Sequence, residues 1–387
     1  MHRDVPVTEL ELNELSSVIN IGKPVNPEHM PFGTFNKSGV VPKAFARWWA
    51  GRSIPDDRDG IDEFFAQTGI SSKELALKCF GLSLTDHYWI KPRDSEIRWK
   101  DINFFDNAFS GDIGNMLFGG KSGDSIDFIS PDSTSDGQLK KKWTICGDDR
   151  MLIKCGRAPY KQEPFNEVIA SRIGALLGIW HTEYTLAEQD SEPCCLCRDF
   201  IDGNTELVPA ASVIGAFKRR NEESEFGFYL RCCEELGVPY ARARLEEMIA
   251  LDCIIVNEDR HYNNFGLIRD AGTLEFIGVA PIYDCGNSLW YTCVDQLIDH
   301  TADRQKPKLF KKTFDELADL ISDKERFDLE KLESVPAEFR RILEKSPTIS
   351  PDRADKLESA LRSRLLHVKK LFQGEAVRHV YVPKTRL

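Results

Sequence analysis

Asp259, Asn264 and Asp284 form the set of residues in this chain whose types and order could do chemistry. The first two lie in Asn-Glu-Asp-Arg-His-Tyr-Asn-Asn-Phe-Gly, residues 257–266, and the third closes Pro-Ile-Tyr-Asp. A carboxylate can take the proton of an attacking hydroxyl. A neutral oxygen donor and a second carboxylate can then hold Mg²⁺ against phosphates, which together meets the needs of phosphoryl transfer. A run of Glu258, Asp259, Arg260 and His261 directly behind the largely apolar Leu251–Val256 is unusual for a solvated loop, where a simple Asx-type cap would suffice. His261 is a second proton-handling candidate. It is expected to pack under the loop, hydrogen-bond a backbone carbonyl and so orient Asp259.

Two further positions belong to the same chemistry. Lys154 ends a strand-like run, and Glu167 follows 13 residues later, early in a helix-like run. A strand lysine paired to a helix glutamate aims an ammonium at the α- and β-phosphates. The polar stretch Ser130–Gly137 (SPDSTSDG) precedes that strand pair. Its single glycine departs from G-x-G-x-x-G, yet Ser133, Thr134, Ser135 and Gly137 offer hydroxyls and backbone N–H groups to phosphates. Lys140, Lys141 and Lys142 add positive charge beside them.

The elements that must position these residues change character along the chain. Residues 1–125 form an accessory region with helical spacing at Val41–Ala50, Ile61–Ala66 and Ser72–Cys79, where Ser71 and Ser72 suit an N-cap. Leu82–Ile90 and Trp99–Phe105 are strand-like or loop-like, and Asp86, His87 and Tyr88 there are expected to be structural. Ser110–Ser125, with five glycines, has the composition of a linker. Gly120-Lys121-Ser122 is not a Walker A loop, because the first glycine of that motif would fall at Asn115.

Residues 126–202 alternate: strands at Leu139–Cys146 and Arg150–Lys154 around a Gly147-Asp148-Asp149 turn, a helix at Pro164–Leu177 closed by Gly178, then strands at His181–Ala187 and Cys194–Ile201. Residues 203–387 are mostly helical, at Phe226–Leu236, Tyr240–Val256, Lys308–Ser322, Val335–Leu343 and Pro351–Phe372. Phe265–Ile268 and Leu274–Val279 form a hairpin that returns Asp284 to the mouth of the site.

Composition restricts the partners. A net charge of −11, from 51 basic and 62 acidic residues, disfavours both direct nucleic-acid binding and an anionic membrane surface. The first 30 residues lack an apolar signal-peptide core, and no run approaches the roughly 18 apolar residues that would span a bilayer. With 11 cysteines, an odd number, the chain is expected to carry free thiols in a reducing cytoplasm. Cys194, Cys195 and Cys197 are expected in a core strand rather than on zinc, since no second ligand pair stands nearby.

In the order hydroxyl-rich loop, strand Lys154, the PFNEVIASRIGALLGI helix, a linker at 198–202, then Asp259, Asn264 and Asp284, residues 126–290 resemble the HipA-type bacterial toxin kinases of the protein-kinase-like superfamily. The resemblance implies an α+β, bilobal fold, with a small β-rich N-lobe and a mostly helical C-lobe beside the accessory region. It also implies an ATP- and Mg²⁺-dependent serine/threonine protein kinase. Asp259 would be the base, Asn264 and Asp284 the metal holders and Lys154 the phosphate ligand, with adenine on the linker near Arg198 and Phe200. It further implies autophosphorylation of a loop serine, Ser133 or Ser135, a DNA-binding antitoxin partner, and a protein acceptor that in some relatives belongs to the translation machinery. The readings from other classes are a catalytically silent scaffold and a kinase of lipids or small molecules.

Overall fold

The computed structural model describes residues 1–13, 16–120, 125–298 and 305–374. Lys121 and Ser122 of the glycine-rich stretch lie outside them. The accessory region carries two small hairpins, β1 (Leu10–Leu12) with β2 (Val18–Ile21) and β3 (Phe35–Asn36) with β4 (Gly39–Val40). Helix α1 (Pro42–Ala50) packs on both hairpins, and short helices α2 (Ile61–Thr68), α3 (Ser72–Lys78), α4 (Trp99–Ile102) and α5 (Asp112–Leu117) complete the region, α2 and α5 sharing one apolar cluster. Ser71 caps α3 by accepting the Glu74 N–H.

Two expectations change here. Trp99–Phe105 opens as a helical turn, not a strand. The presumed linker contains α5, whose Ile113, Met116 and Leu117 are buried at helical spacing. Glycine 114 is part of that packing, because any Cβ there would collide with the Asp132 carboxyl and the Lys142 side chain.

The small lobe is a four-stranded antiparallel sheet of β5 (Lys141–Cys146), β6 (Asp149–Cys155), β7 (Tyr184–Gln189) and β8 (Glu192–Arg198), in the order β5-β6-β8-β7. Helix α6 (Glu163–Leu177) crosses it and ends at Gly178, which takes the left-handed conformation that favours glycine there. Cys194, Cys195 and Cys197 are core residues of β8, as expected. The expectation of free thiols fails at one pair. Antiparallel register sets Cys155 opposite Cys194, with Cα atoms 4.2 Å apart, and a disulfide joins them. Register is a property of the folded sheet, so counting cysteines could not reveal it.

The chain then enters the large lobe through β9 (Thr205–Pro209), α7 (Ala210–Ala216), α8 (Glu225–Glu235) and α9 (Ala241–Ile255). Eleven residues of α9 are buried, on all its sides, which makes it the central helix of the lobe. The hairpin of β10 (Gly266–Asp270) and β11 (Phe276–Val279) follows, with β9 added as a third strand on β10. Helices α10 (Phe314–Ala318), α11 (Val335–Leu343) and α12 (Pro351–Phe372) complete the lobe. One apolar core runs through α6, α8, α9, α11 and α12, so the small-lobe helix is anchored in the large lobe. The expected long helix over 308–322 shrinks to α10. Residues before Thr313, its N-cap, instead form a loop that carries Lys308 to Asp259.

The accessory region meets the large lobe through a buried polar knot. Glu206 of β9 accepts from Arg269 of β10 at 2.6 Å and bonds His2 at 2.6 Å, while Arg269 also donates to the Tyr88 hydroxyl at 2.9 Å. Burial would raise the Glu206 carboxyl, but the His2 hydrogen bond and the Arg269 charge outweigh it and hold the pKa near 2. His87 is fully buried with its ring against the Thr205 carbonyl, and Asp86 pairs with Arg52, so this cluster is structural as expected.

Candidate active site

Three charged side chains from three elements converge beneath the small sheet. Lys154, near the end of β6 and 7% exposed, donates to Glu167 Oε1 at 3.1 Å, to Asp284 Oδ1 at 2.9 Å and to the Tyr184 hydroxyl at 3.3 Å. The second Glu167 oxygen accepts the Cys285 N–H at 2.8 Å. That bond fixes the chain just past Asp284, whose own backbone is left-handed at φ +58°. A parallel bridge between His181 and Ile282 ties the same segment to the edge of the small lobe. Desolvation opposes the charge on Lys154, yet Asp284 and Glu167 prevail and raise its pKa well above the usual lysine value. Burial alone would raise Asp284, but Lys154, followed by Lys141, holds it down at about 2.

Asp259 and Asn264 stand on the loop after α9. The Asn264 carboxamide donates to the Asp259 carbonyl at 3.1 Å. The Asp259 carboxylate accepts from Asn287 Nδ2 at 2.6 Å and pairs with Lys308.

The residue packed under this loop is Arg260, and the expectation for His261 is corrected. Arg260 is buried, bonds both oxygens of Asp252 at 3.0 Å, and donates to the carbonyls of Asn264 at 2.7 Å and Tyr283 at 2.6 Å. One guanidinium thus ties the Asp259 loop to the Asp284 segment, which a single imidazole could not do with two ring nitrogens. His261 is half-buried, and its Nδ1 accepts the Asn263 N–H at 3.2 Å instead of meeting a carbonyl.

The hydroxyl-rich loop divides. Ser133 and Thr134 are buried in a 3-10 turn and donate to the carbonyls of Phe128 and Leu82, so neither lines a phosphate cradle. The reason is their neighbour Asp132, whose side chain is drawn inside to accept the Trp143 N–H at 2.8 Å. Ser135 and Gly137 are half-buried and lie above β5. There Lys141 stands opposite Lys154 in register and close against Gly137. Burial, reinforced by Arg58 and Lys154, draws the Lys141 pKa down to about 7.

At the linker, Arg198 pairs by its backbone with Met151, while its guanidinium points out to Asp149 at 2.8 Å. Phe200 packs its ring on Tyr283, with centroids 5.3 Å apart.

Sequence reasoning missed Tyr184, Asn287, Lys308 and Arg260. Arg260 had a visible signal, since a charged residue between Asp259 and His261 must go somewhere. Lys308 and Asn287 had none, because their roles follow from how distant loops return.

The cation fit rests on donor type. Asn264 has its amide nitrogen on a carbonyl, which leaves an oxygen for a cation, and the Asp284 side chain is 42% exposed. Two protein oxygens supplemented by phosphate and water suit Mg²⁺ better than an all-protein cage would. No cluster of three or more His, Cys, Asp or Glu capable of holding a metal occurs among the described residues.

No family model matches the chain. Over 137 residues, 34% of its length, it is 25% identical to the serine/threonine-protein kinase CtkA of Helicobacter pylori and spans 42% of that relative. The crystal structure of CtkA superposes over 62% of this chain and 91% of its own, with a TM-score of 0.48 and 19% identity. The HipA of Shewanella oneidensis, solved in complex with HipB and operator DNA, superposes over 97% of both chains with a TM-score of 0.54 and 12% identity.

Proposed function

From the premise that this chain has the fold of the HipA-type kinases, we propose that it is an ATP- and Mg²⁺-dependent serine/threonine protein kinase. The observation that carries this reading is the Lys154–Glu167–Asp284 cluster, built from three separate elements and tied through Arg260 to the loop that bears Asp259 and Asn264. A structural ion pair needs two partners. Here a buried lysine is shared by two carboxylates, one of them half-exposed, which suits a lysine that exchanges a carboxylate for a phosphate oxygen.

Mg²⁺, held by Asn264 and Asp284, would neutralise charge on the transferring phosphoryl group. Lys154, aimed by Glu167, orients the inner phosphates. Asp259 accepts the proton of the acceptor hydroxyl, with Asn287 fixing its carboxylate. Arg260 keeps the base and the Asp284 segment in one frame. Adenine lies against the linker backbone at 198–200, where Phe200 and Tyr283 form an aromatic floor.

Two finer parts follow. Within the loop, Ser135 is the acceptor for self-phosphorylation, because it is half-buried whereas Ser133 is fully enclosed with its hydroxyl on the Phe128 carbonyl. A DNA-binding antitoxin is the partner, by analogy with the HipA solved with HipB and DNA. Incubation with γ-labelled ATP and Mg²⁺, followed by phosphosite mapping beside Asp259→Ala, tests the kinase reading. Label on Ser135 that vanishes in the variant supports it. Absence of label together with absence of any melting shift from Mg-ATP sinks it.

A further inference from the structure

The loop above Lys141 has one glycine where phosphate loops commonly have several, and something other than glycine must shape it. Arg58, in the accessory stretch Pro55–Gly60, is 2% exposed. Its Nε donates to the Gly137 carbonyl at 2.8 Å, its Nη1 to Ser135 Oγ at 2.8 Å and its Nη2 to the Ser135 carbonyl. All three bonds go to neutral oxygens, which is an unfavourable setting for a buried guanidinium. Burial accordingly draws its pKa down to about 10, even with Asp132 and Asp136 in range.

The neighbours of Arg58 bind the next loop residue. The Asp59 N–H donates to the Gln138 carbonyl at 3.1 Å, and Gln138 Nε2 donates to Asp57. Arg157, in the small lobe, donates to Asp59 at 3.1 Å and to Gln138 Oε1 at 3.3 Å, closing the contact from the other side. Gly60, at φ +88°, lets the stretch run against the Leu117 carbonyl, where any Cβ would collide.

We propose that Arg58 is a positioning residue for the nucleotide: it pins Ser135 and Gly137 from the accessory region, so that the loop backbone over Lys141 and Lys154 is fixed in a phosphate-receiving form. The accessory region is then part of the ATP site. Rigidity imposed by an outside clamp replaces the adaptability that glycines give other phosphate loops. Arg58 itself touches no reacting atom. This inference rests on the kinase reading and deepens it.

The test compares the full chain with Arg58→Lys, Arg58→Met and Arg93→Met. Arg93 is an exposed accessory-region arginine paired with Glu9, and serves as the control. Mg-ATP and adenosine affinities, kcat, KM and amide exchange at 59 and 135–138 are measured for each. Arg58→Met should raise the Kd and KM for ATP by about tenfold or more, the weight of several charge-assisted hydrogen bonds. It should leave kcat and the adenosine Kd nearly unchanged and speed the exchange of those amides. Arg58→Lys should fall between, and Arg93→Met should match the parent.

An unchanged ATP Kd in Arg58→Met overturns the inference, as does an equal loss of ATP and adenosine binding. If Arg58→Met does not fold, Ser135→Ala removes the Nη1 contact together with the weaker hydroxyl bond to the Asp132 carbonyl at 3.4 Å, and unaltered exchange at 135–138 then counts against the clamp. A parent protein that binds no nucleotide would sink the kinase reading, and the exchange data would still decide whether Arg58 holds the loop.

Discussion

The loop proposed to carry the base and the loop proposed to receive nucleotide phosphates both need a fixed backbone, and they obtain it in opposite ways. Around Asp259 the chain supplies its own supports: Asn264 stands five residues away, and Arg260 reaches back eight residues to Asp252. Around Gly137 the support comes from Arg58, separated by 79 residues. The first arrangement brings its chemistry and its scaffold in one segment. The second separates them, so a loop poor in glycine looks deficient until its clamp is found. Local self-support should make a site sensitive at the chemistry, whereas a remote clamp should make it sensitive at a joint.

Breaking the first region at its chemistry gives the largest expected effect. Asp259→Ala should lower kcat by about 10²–10⁴, the weight of a general base, with little change in ATP affinity. A matching fall in nucleotide binding would mean that Asp259 belongs with the metal holders instead. Breaking the same region at its scaffold is the next step. Arg260→Met leaves Asp252 buried without its cationic partner, with only the Asn257 amide still on it, and should cost about 3–5 kcal/mol of stability, read from the urea midpoint. Loss of activity without loss of stability would refute the scaffold role.

The contrast also explains what the sequence disclosed. The strand pair around Gly147, the helix from Pro164 and the Asp259–Asn264 spacing were legible, because spacing within one element or one turn decides them. Lys154, Glu167 and Asp284 were legible by type and chain order alone, since three separate elements bring them together. Cys155 and Cys194 were not, because sheet register decides them. Helix α5 was hidden by its glycines, which a reader takes for flexibility until Gly114 is seen against Asp132. Ser133 has the right residue type and the right loop, but burial of Asp132 turns it inward. Arg58 had no local signal at all. Composition and periodicity report how a segment will be built, and they are silent on what will be pressed against it.

Two buried carboxyls, one at each remote joint, should respond to pH with opposite sign. Glu206 is held near 2 against an ordinary 4.5. Its contribution is complete above pH 4.5 and is lost as pH falls toward 2. By linkage this amounts to about 3 kcal/mol, which Glu206→Gln should abolish together with the acid slope. Asp132 is pushed by burial up to about 7 from 3.8, against the Trp143 N–H and the Arg58 charge. Its carboxyl favours the folded state below pH 3.8, and that contribution is lost as pH rises through about 7. Asp132→Asn should therefore flatten the decline in stability between pH 4 and 8, by about 2–4 kcal/mol across the range. Urea midpoints of the two variants from pH 3 to 8 decide the matter. Slopes of the same sign would mean that one of the two carboxyls is not buried as described.

The smallest effect is expected where the catalytic region borrows a remote partner of its own. Lys308 pairs with Asp259 from 49 residues away, but its side chain is 54% exposed. An ion pair so open to water is screened by salt and contributes up to about 1 kcal/mol. Lys308→Met should thus leave stability nearly intact and change kcat by less than about tenfold, with the difference from the parent shrinking as salt rises. Asn287, whose amide holds the other Asp259 oxygen at 2.6 Å, is the more enclosed partner, and Asn287→Ala should cost more than Lys308→Met at every salt concentration. If Lys308→Met proves the more damaging of the two, the base is governed by charge brought from afar, and the catalytic loop resembles the nucleotide loop more closely than its own local bonds suggest.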